Sequence, residues 1–250
     1  MTAPHAQLKA RRERRIIERP RLIKLLDECE ARIILLLAPA GYGKTTLARQ
    51  WAKTLNGAIW ISCTPAHRDV AVLAEDLGRS LDQGDGEIAR LVRGFVAAHA
   101  NPQLVGRQIA RALVEHVSPR DTRWVLIDDY HELVGSTEAE DFVDTFQQQT
   151  SRRFMIASRQ RPAWATSKRV VYGEVEEIGR EQLAMDEVES SDLLGRAAQS
   201  KLLAEQAEGW PAVIALAAAA DLELAPVGAL PSALHDYFAE ELFQRASTDL

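Results

Sequence analysis

The stretch LLLAPAGYGKTTLARQW, Leu35 to Trp51, constrains the fold more than any other part of the chain. It joins three pieces with different needs. RIILLLA, residues 32–38, is apolar on both faces of an extended chain, as a buried parallel strand must be. A loop with Gly41 and Gly43 follows, residues able to take positive φ angles. KTTLARQWAKTL then has helical spacing, and Gly57 stops it. A strand, a glycine turn and a helix in that order point several backbone N–H groups inward at the positive end of a helix. Such a concavity holds phosphate.

The usual phosphate loop reads G-x-x-x-x-G-K-[ST]. Here the first glycine is replaced by Ala38, and the remaining residues are Pro39, Ala40, Gly41, Tyr42, Gly43, Lys44 and Thr45. Lys44 is expected across the β- and γ-phosphates and the Thr45 hydroxyl on Mg²⁺. Pro39 to Thr46 are assigned to nucleotide contact as a group. A metal also needs a carboxylate. WVLIDDY, residues 124–130, supplies Asp128 at the carboxyl end of an apolar strand, where ligands of open α/β sheets bind. Asp128 is expected to hold the metal through water, and Asp129 to polarise an attacking water. MIASRQRP places Arg159 and Arg161 after a further strand at the same edge. Arg159, nearest the strand end, is expected to reach the γ-phosphate. His131 is read as shaping its loop, and Trp51, Trp60 and Trp124 as core.

Around these motifs strands and helices alternate. Strands are expected at 58–62 (AIWIS), 123–130, 153–159 and, more weakly, 171–179; helices at 69–81 with Asp69 as cap, at 103–117 and at 139–150. Residues 83–103 are broken by Gly84, Gly86 and Pro102, with a short helical piece near 87–98. The alternation argues for an α/β fold, a doubly wound parallel sheet sandwiched by helices. After 180 the pattern turns helical. The division expected is a basic extension at 1–15, a nucleotide-binding core at 16–180, a helical subdomain at 181–222, and a linker and one amphipathic helix at 223–250. A lone helix beyond a linker has nothing of its own to pack on. The chain is therefore expected to be a piece of something longer, or that helix to fold back.

Composition narrows the partners. A net charge of −6 provides no global basic field for nucleic acid. The exception is LKARRERR, residues 8–15, read as a solvated, frayed helix with a partner contact as the alternative. No apolar run reaches the roughly 18 residues of a membrane helix. Cys29 and Cys63, the only two cysteines, suit a reduced, cytoplasmic chain.

Taken in order, PAGYGKTTLARQW, WVLIDDYHEL, IASRQRP, REQLAM and AEGWPAVIAL resemble the nucleotide-binding domain of the signal-transduction ATPases with numerous domains (STAND). The branch is that of the large LuxR-type bacterial transcriptional regulators like the maltose regulon activator. The resemblance covers about residues 16–247. It implies a P-loop ATPase fold followed by the start of a winged-helix-like domain, and ATP or ADP with Mg²⁺ as ligands. It also implies Ile17, Arg19 and Pro20 against the adenine, and Gly209, Trp210 and Pro211 closing the base from the helical subdomain. Met185 stands where an aromatic is expected, so no contact is assigned to it. The function implied is a regulatory switch: ADP holds a closed state, and ATP favours a self-associating one. Hydrolysis is expected to be slow, with DNA bound only through domains outside this chain. The alternatives weighed are a P-loop kinase and a ring-forming remodelling ATPase.

Overall fold

Five strands pair in parallel: β1 (Ile33–Leu37), β2 (Ala58–Ser62), β3 (Trp124–Asp128), β4 (Phe154–Ser158) and β5 (Val175–Ile178), in the spatial order β2-β3-β4-β1-β5. The computed structural model describes residues 17–81, 90, 93–94, 102–116, 118, 120–194, 204–205 and 207–219. The basic stretch at 8–15, most of the helical piece expected at 87–98, and the linker and amphipathic helix expected at 223–250 lie outside these residues. The chain divides into two compact units, Pro20–Leu183, and Met1–Arg19 with Ala184–Leu250.

In the first unit the central strands are the unbroken apolar runs. β4 is buried throughout and β1 almost so, because helices cover both faces of the sheet. The edge strands are less covered: β2 alternates, with Ile59 and Ile61 buried, and in β5 Val175 and Ile178 are buried while Glu176 is exposed. Helices α1 (Pro20–Glu28) and α2 (Lys44–Ala52) pack on each other through their apolar sides, with Leu22, Leu26, Leu47 and Trp51 buried. The larger core holds α3 (Val70–Leu81), α4 (Pro102–His116) and α5 (Thr137–Gln149) with Ile33, Leu35, Val125, Ile127, Phe154 and Ile156. Asp69 caps α3 as expected, its Oδ1 accepting the Ala71 N–H at 2.8 Å. α4 and α5 approach closely because Gly106 has no side chain; a Cβ there would sit 2.3 Å from the Glu138 carbonyl oxygen.

Two expectations change. The strand foreseen at 171–179 is only 175–178. Before it lies a short helix α6 (Ser167–Val171), capped by the Thr166 hydroxyl, which accepts from the Arg169 N–H. One local and one tertiary ion pair outweigh the β-branched Val170 and Val171: Arg169 reaches Glu174, five residues on, and Asp144 on α5, each at 2.7 Å. Of the three tryptophans read as core, only Trp51 is buried; Trp60, on the edge strand, and Trp124, at the start of β3, are half-buried. Trp124 packs edge-on against Trp51 and is covered by the Arg153 guanidinium at 4.3 Å.

In the second unit, Asp186 caps α8 (Glu187–Leu194) in a reciprocal box: Asp186 Oδ1 accepts the Glu189 N–H at 2.8 Å and Glu189 Oε2 the Asp186 N–H at 3.2 Å. The same buried carboxylate takes both Nε and Nη2 of Arg19, at 3.1 and 2.8 Å. A helix α9 (Pro211–Ala219) opens on proline at its first position. Just before it, Gly209 has φ 69°, and its carbonyl accepts the Met185 N–H at 2.8 Å. A Cβ on Gly209 would lie 2.6 Å from the Met185 carbonyl oxygen, so only glycine fits this crossing. The short helix between β5 and this unit, α7 (Arg180–Leu183), belongs to the first unit.

The amino ends of the strands are held by arginine–carboxylate pairs. Asp121 binds Arg123 and the buried Arg152 at 2.6 and 2.7 Å. Hydrogen bonds from Arg123, then from Arg152, hold the Asp121 carboxyl well below the usual range. Its folded pKa is depressed, so its stabilisation is complete above the free carboxyl's pKa of about 3.9 and is lost as pH falls below it. Asp121→Asn is expected to cost about 3 kcal/mol at pH 7, because it strands a buried guanidinium. The gap from the parent should narrow by pH 2.5. Urea denaturation at the two pH values checks this, and a gap independent of pH would contradict it.

Candidate functional site

The turn between β1 and α2 takes its shape from its glycines. Gly41 has φ 79° and Gly43 φ 75°, and the Gly43 carbonyl accepts the Leu47 N–H at 2.8 Å to open the helix. No side chain caps the start of α2. Ala38, in place of the usual glycine, continues the strand: its N–H donates to the Ser158 carbonyl at 3.3 Å. Among the described residues the only non-glycine positions with positive φ are Asp129 and Glu208. Ala38 therefore has an ordinary backbone, and its methyl group is buried in the core. Lys44 is buried, and its Nζ donates to the carbonyls of Ala38 and Pro39 at 2.6 and 2.8 Å. A phosphate oxygen is a stronger acceptor for an ammonium than either carbonyl. Tyr42 is buried with Arg180 5.9 Å from its ring centroid, Pro39 is half-buried, Ala40 is buried and Thr46 is exposed.

The strand ends bring the second group to the loop. Leu36 pairs with Ala157, Ile127 with Ile156 and Ser62 with Asp128, so Asp128 stands level with the last turns of β1 and β4. The Thr45 hydroxyl donates to Asp128 Oδ1 at 3.1 Å, and the Asp129 N–H donates to the same oxygen at 3.0 Å. Asp128 is 3% exposed. Burial raises its pKa, the Thr45 hydrogen bond opposes the rise, and the Asp129 charge adds to it. Asp129 itself is half-buried and left-handed, φ 53°, a conformation aspartate tolerates better than most residues. It opens a 3-10 turn, Tyr130–Glu132. Cys63 lies beside the pair, its N–H on the Asp128 carbonyl at 2.8 Å. Burial, then Asp129 and Asp128, push its thiol far up, so it stays protonated and unreactive.

Arg159 follows β4 and is exposed. Arg161 is engaged by Glu177 and by the Ala165 carbonyl. His131 is half-buried. Burial lowers its pKa, Arg159 lowers it further, and Asp129 opposes. Its Nδ1 is buried with no hydrogen-bond partner. The structure thus brings Lys44, Thr45, Asp128 and Asp129 to one edge of the first unit, with Arg159 and His131 in the same electrostatic neighbourhood. Of the residues assigned to the adenine, Pro20 starts α1 in the first unit; Ile17, Arg19 and Pro211 belong to the second. Sequence reading missed Glu140 and the Tyr130–Trp164 pair, which fasten the loops of this edge together. A glutamate in AEDFVDTF looks like part of a solvated helical face, and nothing in its spacing marks it as buried.

A hydroxyl and a carboxylate facing each other beside a glycine-turned helix start have the donor chemistry that could hold a hydrated hard cation and a polyphosphate. Such a site on a parallel sheet of this order defines a P-loop nucleotide-binding domain. A family model described as an AAA domain matches residues 28–161, more than half of the chain, and the chain belongs to that family. Among known proteins it is similar to the HTH-type transcriptional regulator MalT of two Klebsiella pneumoniae strains. Each is 26% identical over 217 residues, covering 83% of this chain and 24% of the relative. The chain thus spans about a quarter of the length of these relatives. A solved structure of similar fold is the STAND protein with a tetratricopeptide repeat sensor from Pyrococcus horikoshii. Its TM-score is 0.53 at 18% identity, covering 92% of this chain and 32% of that one. The similarity to MalT agrees with the resemblance read from the motifs, and the Pyrococcus structure shows the same fold.

Ala38→Gly is expected to change nucleotide affinity by less than about twofold and to cost about 0.5–1 kcal/mol of stability. Gly41→Ala, at a left-handed position, should cost about 1–2 kcal/mol and weaken binding clearly. Titration with a fluorescent ATP analogue and thermal melts test the contrast. A large gain in affinity from Ala38→Gly would mean that the first glycine is missed after all.

Proposed function

We propose that the chain is the nucleotide switch of a signal-responsive transcriptional regulator, binding ATP and ADP with Mg²⁺ and hydrolysing ATP slowly. The observation that carries this reading is the 3.1 Å contact between the Thr45 hydroxyl and Asp128, at the mouth of a loop turned by Gly41 and Gly43. The fit is one of donor chemistry. Thr45 and, through water, Asp128 would hold Mg²⁺, which would supply charge neutralisation to the phosphates. Lys44 binds the same phosphates on leaving the loop carbonyls. Asp129 orients and polarises the attacking water. Arg159 contacts the γ-phosphate, so ATP and ADP are bound differently.

That difference is what a switch requires, because a ligand shifts an equilibrium only by its differential affinity for the two states. In this reading the ADP form rests and the ATP form self-associates. The chain works in the cytoplasm, and DNA is contacted by segments outside this sequence. Similarity to MalT-like regulators supports the regulatory setting.

Three substitutions test the roles. Lys44→Ala should weaken binding of both nucleotides at least about tenfold, the loss of one charged hydrogen bond to phosphate. Asp129→Asn should leave binding intact and slow hydrolysis about 100-fold. Arg159→Ala should reduce the preference for ATP while ADP affinity holds. Equilibrium binding and phosphate release measure all three. Unchanged ATP binding by Lys44→Ala, or several turnovers per second by the parent, would contradict the proposal.

A further inference from the structure

One buried carboxylate joins the loop after β3 to the loop after β4. Glu140, in the first turn of α5, is 8% exposed. Its Oε1 accepts the Gly135 N–H at 3.0 Å and its Oε2 the Ala163 N–H at 2.6 Å. Gly135 ends the run that begins at Asp129, and Ala163 lies four residues after Arg159. A second tie runs beside the first. The Trp164 indole N–H donates to the Tyr130 hydroxyl at 2.7 Å, with both rings buried and edge-on. Tyr130 adjoins Asp129, so the loops carrying Asp129 and Arg159 are fastened at two points. At its start, the arginine's turn is closed by the fully buried Ser158, whose hydroxyl donates to the Gln160 carbonyl at 2.5 Å.

A carboxylate buried only for packing would cost stability. This one accepts from two backbone donors on two different loops. Glutamine would present an amide group to one of them and lose that bond. The geometry points to Glu140 as a positioning residue that sets Arg159 against Asp129, so that the γ-phosphate is read by a fixed pair of loops. This rests on the reading of Arg159 as the group that distinguishes ATP from ADP.

The test is equilibrium binding of Mg·ATP and Mg·ADP to the whole chain, well below its melting temperature. The parent is compared with Glu140→Gln, Tyr130→Phe and Arg159→Ala. Glu140→Gln is expected to lower ATP affinity about fivefold, the worth of one hydrogen bond, while ADP affinity stays within about twofold. Tyr130→Phe should shift the ATP-to-ADP ratio in the same direction, and it stands as the test should Glu140→Gln fail to fold. If Arg159→Ala collapses the ratio but Glu140→Gln and Tyr130→Phe keep the parent's, the coupling is wrong and the switch reading survives. Equal loss of both nucleotides in Glu140→Gln overturns the coupling as well. If Arg159→Ala leaves the ratio unchanged, the reading of Arg159 falls and the coupling with it.

Discussion

The site depends on a hydroxyl and a carboxylate that meet across the sheet. Thr45 starts the helix after β1 and Asp128 ends β3, with β4 between the two strands. They reach each other at 3.1 Å only because the parallel register ends these strands at one level. The buried apolar runs that pair in register therefore place the phosphate loop, the acid pair and the arginine loop on one edge. Elements elsewhere keep that register. Glycine at 106 lets α4 and α5 close over one face, and the arginine–carboxylate pairs tie down the amino ends of the strands.

The nucleotide edge is held against local preference. Asp128 is a buried acid whose charge is disfavoured by burial and by its neighbour Asp129. Asp129 keeps a left-handed backbone, and Lys44 rests on two carbonyls. The buried acid and the left-handed residue cost stability that the surrounding core must offset.

Legibility in the sequence followed burial. β1, β3 and β4 read as strands because both faces are covered, and the loop read as a phosphate site because its glycines and lysine are local in the chain. β5 read weakly because this edge strand is only four residues long and two of them are glutamates, with Glu176 exposed. α6 was hidden because it is short and carries two β-branched valines, and because the Arg169 contact with Asp144 on α5 has no local signature. Trp60 and Trp124 looked like core by composition, yet the sheet leaves them half-buried. The Ala38 departure stood out in the motif; in the structure Ala38 extends the pairing of β1 with β4 with an ordinary backbone. Glu140 was invisible for a different reason: its partners are backbone N–H groups, one in the turn just before its helix and one on the loop after β4.

The most direct test is a crystal structure of the chain with Mg²⁺ and a non-hydrolysable ATP analogue. The Lys44 ammonium should have left the carbonyls of Ala38 and Pro39 for the β- and γ-phosphates, with the Thr45 hydroxyl about 2.1 Å from the ion. Nucleotide bound elsewhere, with Lys44 still on those carbonyls and the Thr45–Asp128 contact undisturbed, would contradict it.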